Sequence, residues 1–191
     1  MRIAIDIDST LHHYWDVLSD AALRRFGVDL PYEEQFTWGI TRLREDQLRV
    51  CIAETHCDRV IEAGVPYPGA VESVNAWHDA GHFIHITSHR HTGAHAATAR
   101  WLERIGLRFD ELRCAYEKVA RCREIGIDVL IDDSPVNLLA ALEVGITPAT
   151  IEHPWNRDVV EEEGILAARD WAGLRAALEP LLLRPAAIGG A

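Results

Sequence analysis

Arg2-Ile3-Ala4-Ile5-Asp6-Ile7-Asp8-Ser9-Thr10 opens the chain and decides how the rest is read. Residues 2–7 form a short run rich in Ile and Ala. That is the composition of a strand buried on both faces in the middle of a parallel sheet. The run ends on two aspartates two positions apart. Side chains at that spacing on a strand point to the same side, so Asp6 and Asp8 are expected to present two carboxylates to one small space. Two such charges need a cation or a proton beside them. With one basic residue and an apolar run interrupted by Asp6, the N-terminus does not read as a signal peptide.

The same kind of run recurs at 83–87 and 128–131, more weakly at 149–151, with a short fifth candidate at 112–115. Helical patterns separate these runs. Pro68 and Gly69 start a helix along Val71, Val74 and His78, which Gly81 closes. Ala96, Ala99, Trp101, Leu102 and Ile105 line a second helix, closed by Gly106. Ser134 suits an N-cap with Pro135 in the first helical position, and Gly145 ends that helix. Strands alternating with helices predict βαβ units, hence an α/β, Rossmann-like three-layer architecture around a parallel sheet.

Segment 11–65 breaks the alternation. Trp15, Leu18, Ala22 and Phe26 mark one amphipathic helix, and Leu43, Leu48, Cys51 and Ile52 mark another. The segment is expected to be a small helical cap inserted after the first strand, with 1–10 and 66–191 forming the core. The small residues of 184–191 are expected to fray.

A chain of 191 residues, 48% hydrophobic and 26% charged, suits one compact soluble domain that buries a core without disulfides. The net charge of −11 argues against a nucleic-acid polymer as partner, because an acidic surface repels phosphate chains. It leaves room for a small phosphorylated substrate in a locally cationic pocket. No stretch reaches the length of a membrane span. Cys51, Cys57, Cys114 and Cys122 contain no C-x-x-C pair and read as reduced thiols, so a cytoplasmic protein is expected. Monomer and homodimer stay equally open.

In open parallel sheets ligands bind beyond the carboxyl ends of the strands, and here the polar residues stand where the apolar runs stop. The first run ends in Asp6 and Asp8, the second in Thr87 and Ser88, the third in Asp132 and Asp133, with Lys118 between the last two. Hard oxygen ligands without Cys or His suit Mg²⁺, with a phosphate completing its shell. Each piece alone has a plain explanation, as a turn, a helix cap or a solvated lysine. Their joint order is far more specific.

That order resembles the haloacid dehalogenase-like hydrolases, and within them the 5′(3′)-deoxyribonucleotidases and their bacterial relatives. The segments that carry the resemblance are AIDIDSTL (4–11), PYPGAVESVNAWHDAG (66–81), FIHITS (83–88), YEKVARCREIGIDVLIDDSP (116–135), HPWNR (153–157) and RDWAGL (169–174). The resemblance implies Asp6 as nucleophile, Asp8 as acid and base, and Thr87 and Lys118 as phosphate-holding residues. It implies Asp132 as a metal-binding acid, Asp8 as a metal ligand through its backbone carbonyl, and Asp133 acting through water or on its neighbours. The second carboxylate, Asp8, implies phosphate chemistry, because the members that cleave carbon–halogen bonds lack it. The chain departs from the pattern at Ser9, where the branch has Gly, and at Ser134, where the animal nucleotidases have Arg. It also lacks their lysine after the second strand, where Arg90, His89 and His91 are the available cations.

The expected reaction is Mg²⁺-dependent hydrolysis of a small phosphomonoester. Asp6 forms an aspartyl-phosphate, a protonated Asp8 serves the leaving alcohol, and Asp8 then deprotonates the attacking water. A nucleoside monophosphate is one candidate substrate, with Trp38 resembling the aromatic that stacks on a base, and Ser88 and Arg90 in reach of substrate. A non-nucleotide metabolite is the alternative, and a non-catalytic binding protein that kept the fold is a third. His85 is expected to be a satisfied core histidine, and 153–157 to shape the rim of the crevice.

Overall fold

The computed structural model describes residues 1–183, so the expected fraying of 184–191 lies outside the described residues. Six parallel strands form one sheet in the order β3-β2-β1-β4-β5-β6. They are β1 (Arg2–Asp6), β2 (Phe83–Ser88), β3 (Glu111–Cys114), β4 (Val129–Ile131), β5 (Thr147–Ile151) and β6 (Leu166–Ala168). From β1 the chain moves to one side through β2 and β3, then returns to β4 on the other side. The direction of winding therefore reverses at β1, the place where such sheets leave a crevice for ligands.

The sheet is central and dry. Ile3, Ile5, Ile84, Ile86, Val129 and Ile131 are buried together, as their unbroken apolar runs require. Helices α4 (Ala70–Asp79), α5 (His95–Arg104) and α9 (Trp171–Leu182) contribute Val74, Trp77, Trp101, Leu102 and Leu174 to this cluster. A second cluster gathers Ala4, Cys122, Leu130 and Ala141 against α6 (Lys118–Glu124) and α7 (Pro135–Glu143).

Four of the expected strands stand close to their anticipated bounds. β5 is longer than its sequence signal because Pro148, which has no N–H for a ladder, dilutes the pattern near its start. β6 carries no readable signal: Leu-Ala-Ala favours helix by propensity, and only pairing with β5 makes it a strand. Ser134 occupies the N-cap position of α7 with Pro135 next, as expected, but its side chain makes no cap bond. Asp132 Oδ1 instead accepts from the Ser134 N–H at 2.9 Å.

Between β1 and α4 lie α1 (Tyr14–Phe26), a 3₁₀ turn (Tyr32–Glu34), α2 (Glu45–Thr55) and α3 (Asp58–Ala63). Ile61 of α3 joins the cluster of the sheet, while helices α1 and α2 and the loops beside them build a separate apolar cluster around Trp15, Leu18, Leu30, Leu43 and Cys51. One member of that cluster, Trp155, comes from far along the chain, in the loop between β5 and α8 (Arg157–Glu163). Cys51, Cys114 and Cys122 are buried free thiols, and Cys57 is an exposed one. No helix of the described residues is long and apolar enough to cross a membrane.

Candidate active site

Asp6 is the last residue of β1 and pairs in register with Thr87 on β2, so these two chain-distant residues are neighbours at the strand ends. Asp132 and Asp133 follow β4, the neighbour of β1 on its other side. The carboxylates of Asp6, Asp132 and Asp133 are all buried, and each offers an oxygen within 4.8 Å of the others. Lys118, the first residue of α6, is buried beside them. Its Nζ donates to Asp6 Oδ1 and to Asp132 Oδ2, at 2.5 Å each.

The Asp132 carboxylate takes four hydrogen bonds from three groups. Besides Lys118 and the Ser134 N–H, Asn137 Nδ2 lies 3.1 Å from each of its carboxylate oxygens. Sequence reasoning missed Asn137. Its only signal is an amide in the otherwise apolar run Pro-Val-Asn-Leu-Leu-Ala-Ala-Leu, which stands out once the buried face of α7 is known. Asn156 was missed too. It donates to the Asp133 carbonyl, Thr150 Oγ1 and the Ile151 carbonyl, tying the loop after β5 to the acidic turn.

Three buried carboxylates lie together and the one ammonium among them bonds two, Asp6 and Asp132, so the group carries more carboxylates than cations. Burial pushes the Asp6 pKa up to about 7, against the pull of Lys118 and with added repulsion from Asp132 and Asp8. Burial, with repulsion from Asp6 and Asp132, raises Asp133 well above the carboxylate range. Burial works against the charge on Lys118, but its two carboxylate partners override it and raise the ammonium pKa. An all-oxygen, buried, anionic donor set of this kind fits a hard divalent cation such as Mg²⁺ and does not fit a soft one.

Asp8 behaves differently from its expected twin. Its carboxylate lines the same cavity but lies outside the trio, on Arg90. Arg90 Nε donates to Asp8 Oδ2 at 3.0 Å and Nη2 to Oδ1 at 2.6 Å. Nη1 adds a bond to Thr98 Oγ1 at 3.2 Å. Burial alone would raise the Asp8 pKa. The Arg90 charge and hydrogen bonds, with help from His56 and His12, override burial and hold it well below the usual carboxylate range. The sequence leads one to expect a neutral Asp8 beside an ionised Asp6. Arg90 supplies Asp8 with a counter-charge that favours its ionised form. Arg90 itself is only 2% exposed.

Thr87 and Ser88 are buried at the end of β2, and Ser88 Oγ accepts from the Arg90 N–H at 3.2 Å. Trp38 is 45% exposed and lines the cavity, its ring 6.4 Å from that of Trp155. His89 stacks on Tyr116, 6.2 Å between centroids, and both line the same space. The cavity holds about 480 Å³ and is lined by Asp6, Lys118 and Asp132, with Trp38, Ile40 and Leu48 also on its wall. His85 is buried as expected but is not satisfied, since neither ring nitrogen has a hydrogen-bond partner.

No family model matches the chain. The structure is similar to that of a HAD family hydrolase from Deinococcus radiodurans solved with bound phosphate and sodium. The TM-score is 0.70 at 20% identity, covering 97% of this chain and 98% of that one. The chain has the haloacid dehalogenase-like fold. The same fold relates it to D,D-heptose 1,7-bisphosphate phosphatase of B. bronchiseptica, complexed with magnesium and phosphate. There the TM-score is 0.54 at 13% identity over 95% of this chain and 99% of that one. By sequence, the chain is 27% identical over 183 residues to a Chlorobaculum tepidum protein named "Putative 5′(3′)-deoxyribonucleotidase", covering 88% of this chain and 85% of that protein.

Proposed function

We propose that this protein is a Mg²⁺-dependent phosphatase for a small phosphomonoester, working through an aspartyl-phosphate on Asp6. The observation that carries the reading is the buried trio of Asp6, Asp132 and Asp133 around Lys118, at the strand ends where the sheet changes direction. Asp6, Asp132, Asp133 and the Asp8 backbone carbonyl would hold the cation. When bound, it would supply charge neutralisation and alignment of the phosphoryl oxygens.

The chain's own groups divide the remaining work. Asp6 is the nucleophile, and Lys118 opposes the charge on both Asp6 and the phosphoryl group. Asn137 and the Ser134 N–H orient Asp132. Thr87, beside Asp6 in the sheet, offers a hydroxyl to a phosphate oxygen. Asp8, ionised by Arg90, is in the state that takes a proton from water in the second half-reaction. To protonate the leaving alcohol in the first half, it has to part from Arg90. Arg90 thus acts on Asp8, while Trp38 and the apolar wall face the leaving group.

A nucleoside monophosphate is the substrate class we favour. Support comes from the exposed Trp38 ring on an apolar cavity wall and from the likeness to the Chlorobaculum tepidum protein. A non-nucleotide phosphomonoester is the second reading. Release of inorganic phosphate from an aryl phosphate is expected with Mg²⁺, to be lost with EDTA and to vanish in Asp6→Asn while the far-ultraviolet circular dichroism stays unchanged. Wild-type activity in Asp6→Asn, or none in the wild type, sinks the proposal. A panel of deoxynucleoside monophosphates, sugar phosphates and phosphoserine separates the two substrate readings by kcat/KM.

A further inference from the structure

The loop between β5 and α8 carries His153, which is 2% exposed. Its Nε2 lies 2.7 Å from the Ser9 carbonyl oxygen, and its Nδ1 lies 2.6 Å from the Tyr32 hydroxyl. A carbonyl can only accept, so Nε2 carries the proton. In the neutral ring Nδ1 is then the acceptor, and the Tyr32 O–H donates to it. Burial lowers the His153 pKa to about 4 and raises that of Tyr32 to about 12, so near neutral pH both groups are in the state this bonding needs. The ring lies flat on Trp155, 4.4 Å between centroids, and the Asn156 side chain takes the His153 backbone N–H at 2.9 Å.

The two ends of this chain of bonds belong to different parts of the molecule. Tyr32 opens the 3₁₀ turn in segment 11–65 and packs against the apolar cluster of that segment. Ser9 directly follows Asp8 and, at φ +64°, is the one non-glycine residue with positive φ among the described residues. A left-handed residue without glycine costs about 1–2 kcal/mol and persists where its surroundings hold it. Here the holding bond on its carbonyl comes from His153.

We propose that Tyr32, His153 and Ser9 form a positioning relay, in which the Tyr32 hydroxyl orients the His153 ring and the His153 N–H holds the left-handed turn that aims Asp8. The relay makes the placement of segment 11–65 felt at Asp8, 24 positions away in the chain from Tyr32. Its kinetic consequence rests on the phosphatase reading. Its consequence for the state of the ring does not.

The test uses the full chain loaded with Mg²⁺. In Tyr32→Phe the ring keeps its packing and loses only the hydroxyl. We expect kcat for aryl phosphate release to fall about tenfold, within the range of a small misplacement of reacting groups, with KM within about twofold. His153→Gln, whose amide keeps a donor for the Ser9 carbonyl and an acceptor for Tyr32, is expected to retain more kcat than His153→Leu. Separately from activity, long-range ¹H–¹⁵N spectra of the wild type are expected to show His153 protonated at Nε2. In Tyr32→Phe the Ser9-to-Thr10 amides are expected to exchange faster with solvent.

Wild-type kcat in Tyr32→Phe, equal loss in the Gln and Leu variants, or a ring protonated at Nδ1 overturns the relay. Should the wild type release no phosphate, the phosphatase reading fails, while the tautomer and amide exchange still decide for or against the relay.

Discussion

Ser9 concentrates several constraints in one residue. Its backbone is left-handed at φ +64°, its N–H donates to the His12 carbonyl at 3.0 Å, and its own carbonyl accepts from His153. Glycine would remove the roughly 1–2 kcal/mol of left-handed strain and return about 0.4–1 kcal/mol of unfolded-chain entropy. Ser9→Gly is therefore expected to leave kcat within about twofold and to raise Tm by up to about 6 °C, at about 2–4 °C per kcal/mol for a chain of this size. A lowered Tm by calorimetry would show that the Ser9 side chain contributes more than its backbone costs.

At the scale of elements, α5 ties segment 11–65 to the sheet. Helix α3 has six residues, too few to persist without tertiary support. Its end at Gly64 is anchored by α5, whose Trp101 Nε1 and Arg104 Nη2 both donate to the Gly64 carbonyl, at 3.0 and 2.7 Å. A Cβ on Gly64 would meet Trp101 Nε1, His12 Cε1 and the Ile61 carbonyl at 3.1 Å each, which explains glycine there. Trp101→Phe keeps an aromatic ring in the core but removes one donor and some volume. It is expected to cost about 1–3 kcal/mol in urea unfolding. A change below about 0.5 kcal/mol would mean that Arg104 alone secures the junction.

Across the whole molecule the dominant unbalanced feature is the buried negative charge at the strand ends. The folded-state pKa values of Asp6 and Asp133 lie above the carboxylate range, so the metal-free native state takes up protons that the unfolded chain releases. The contribution of these two groups to stability is accordingly greatest below the unfolded carboxylate pKa and declines as pH rises through their folded values, up to about pH 7 for Asp6. A divalent cation needs those groups ionised and competes with the protons. Mg²⁺ at about a hundredfold excess over its dissociation constant is expected to stabilise by about 2.7 kcal/mol, or roughly 5–10 °C in Tm, at pH 8. The gain should shrink at pH 5.5 and reverse with EDTA. A Tm indifferent to Mg²⁺ at both pH values would remove the cation from the site.

By itself the sequence determined the central strands of the sheet and the polar residues that end them. Unbroken apolar runs ending in Asp6, Thr87 and Asp132 leave one arrangement open to them, because a strand buried on both faces belongs inside a parallel sheet and its polar terminus then falls in the crevice. Lys118 was legible only as part of that order, since nothing local distinguishes a buried lysine at the start of a helix from a solvated one. Tertiary structure alone decided the states of the groups. Arg90 looked like a substrate cation from its place after Thr87, yet it sits against Asp8. Asn137, Asn156 and His153 act on carboxylates, carbonyls and a turn that are close only after folding. The charge on Asp8, the proton on His153 and the strand at Leu166–Ala168 all depend on partners brought from elsewhere in the chain. Periodicity records which face of an element is buried, whereas a protonation state or an edge strand depends on what the fold places beside it.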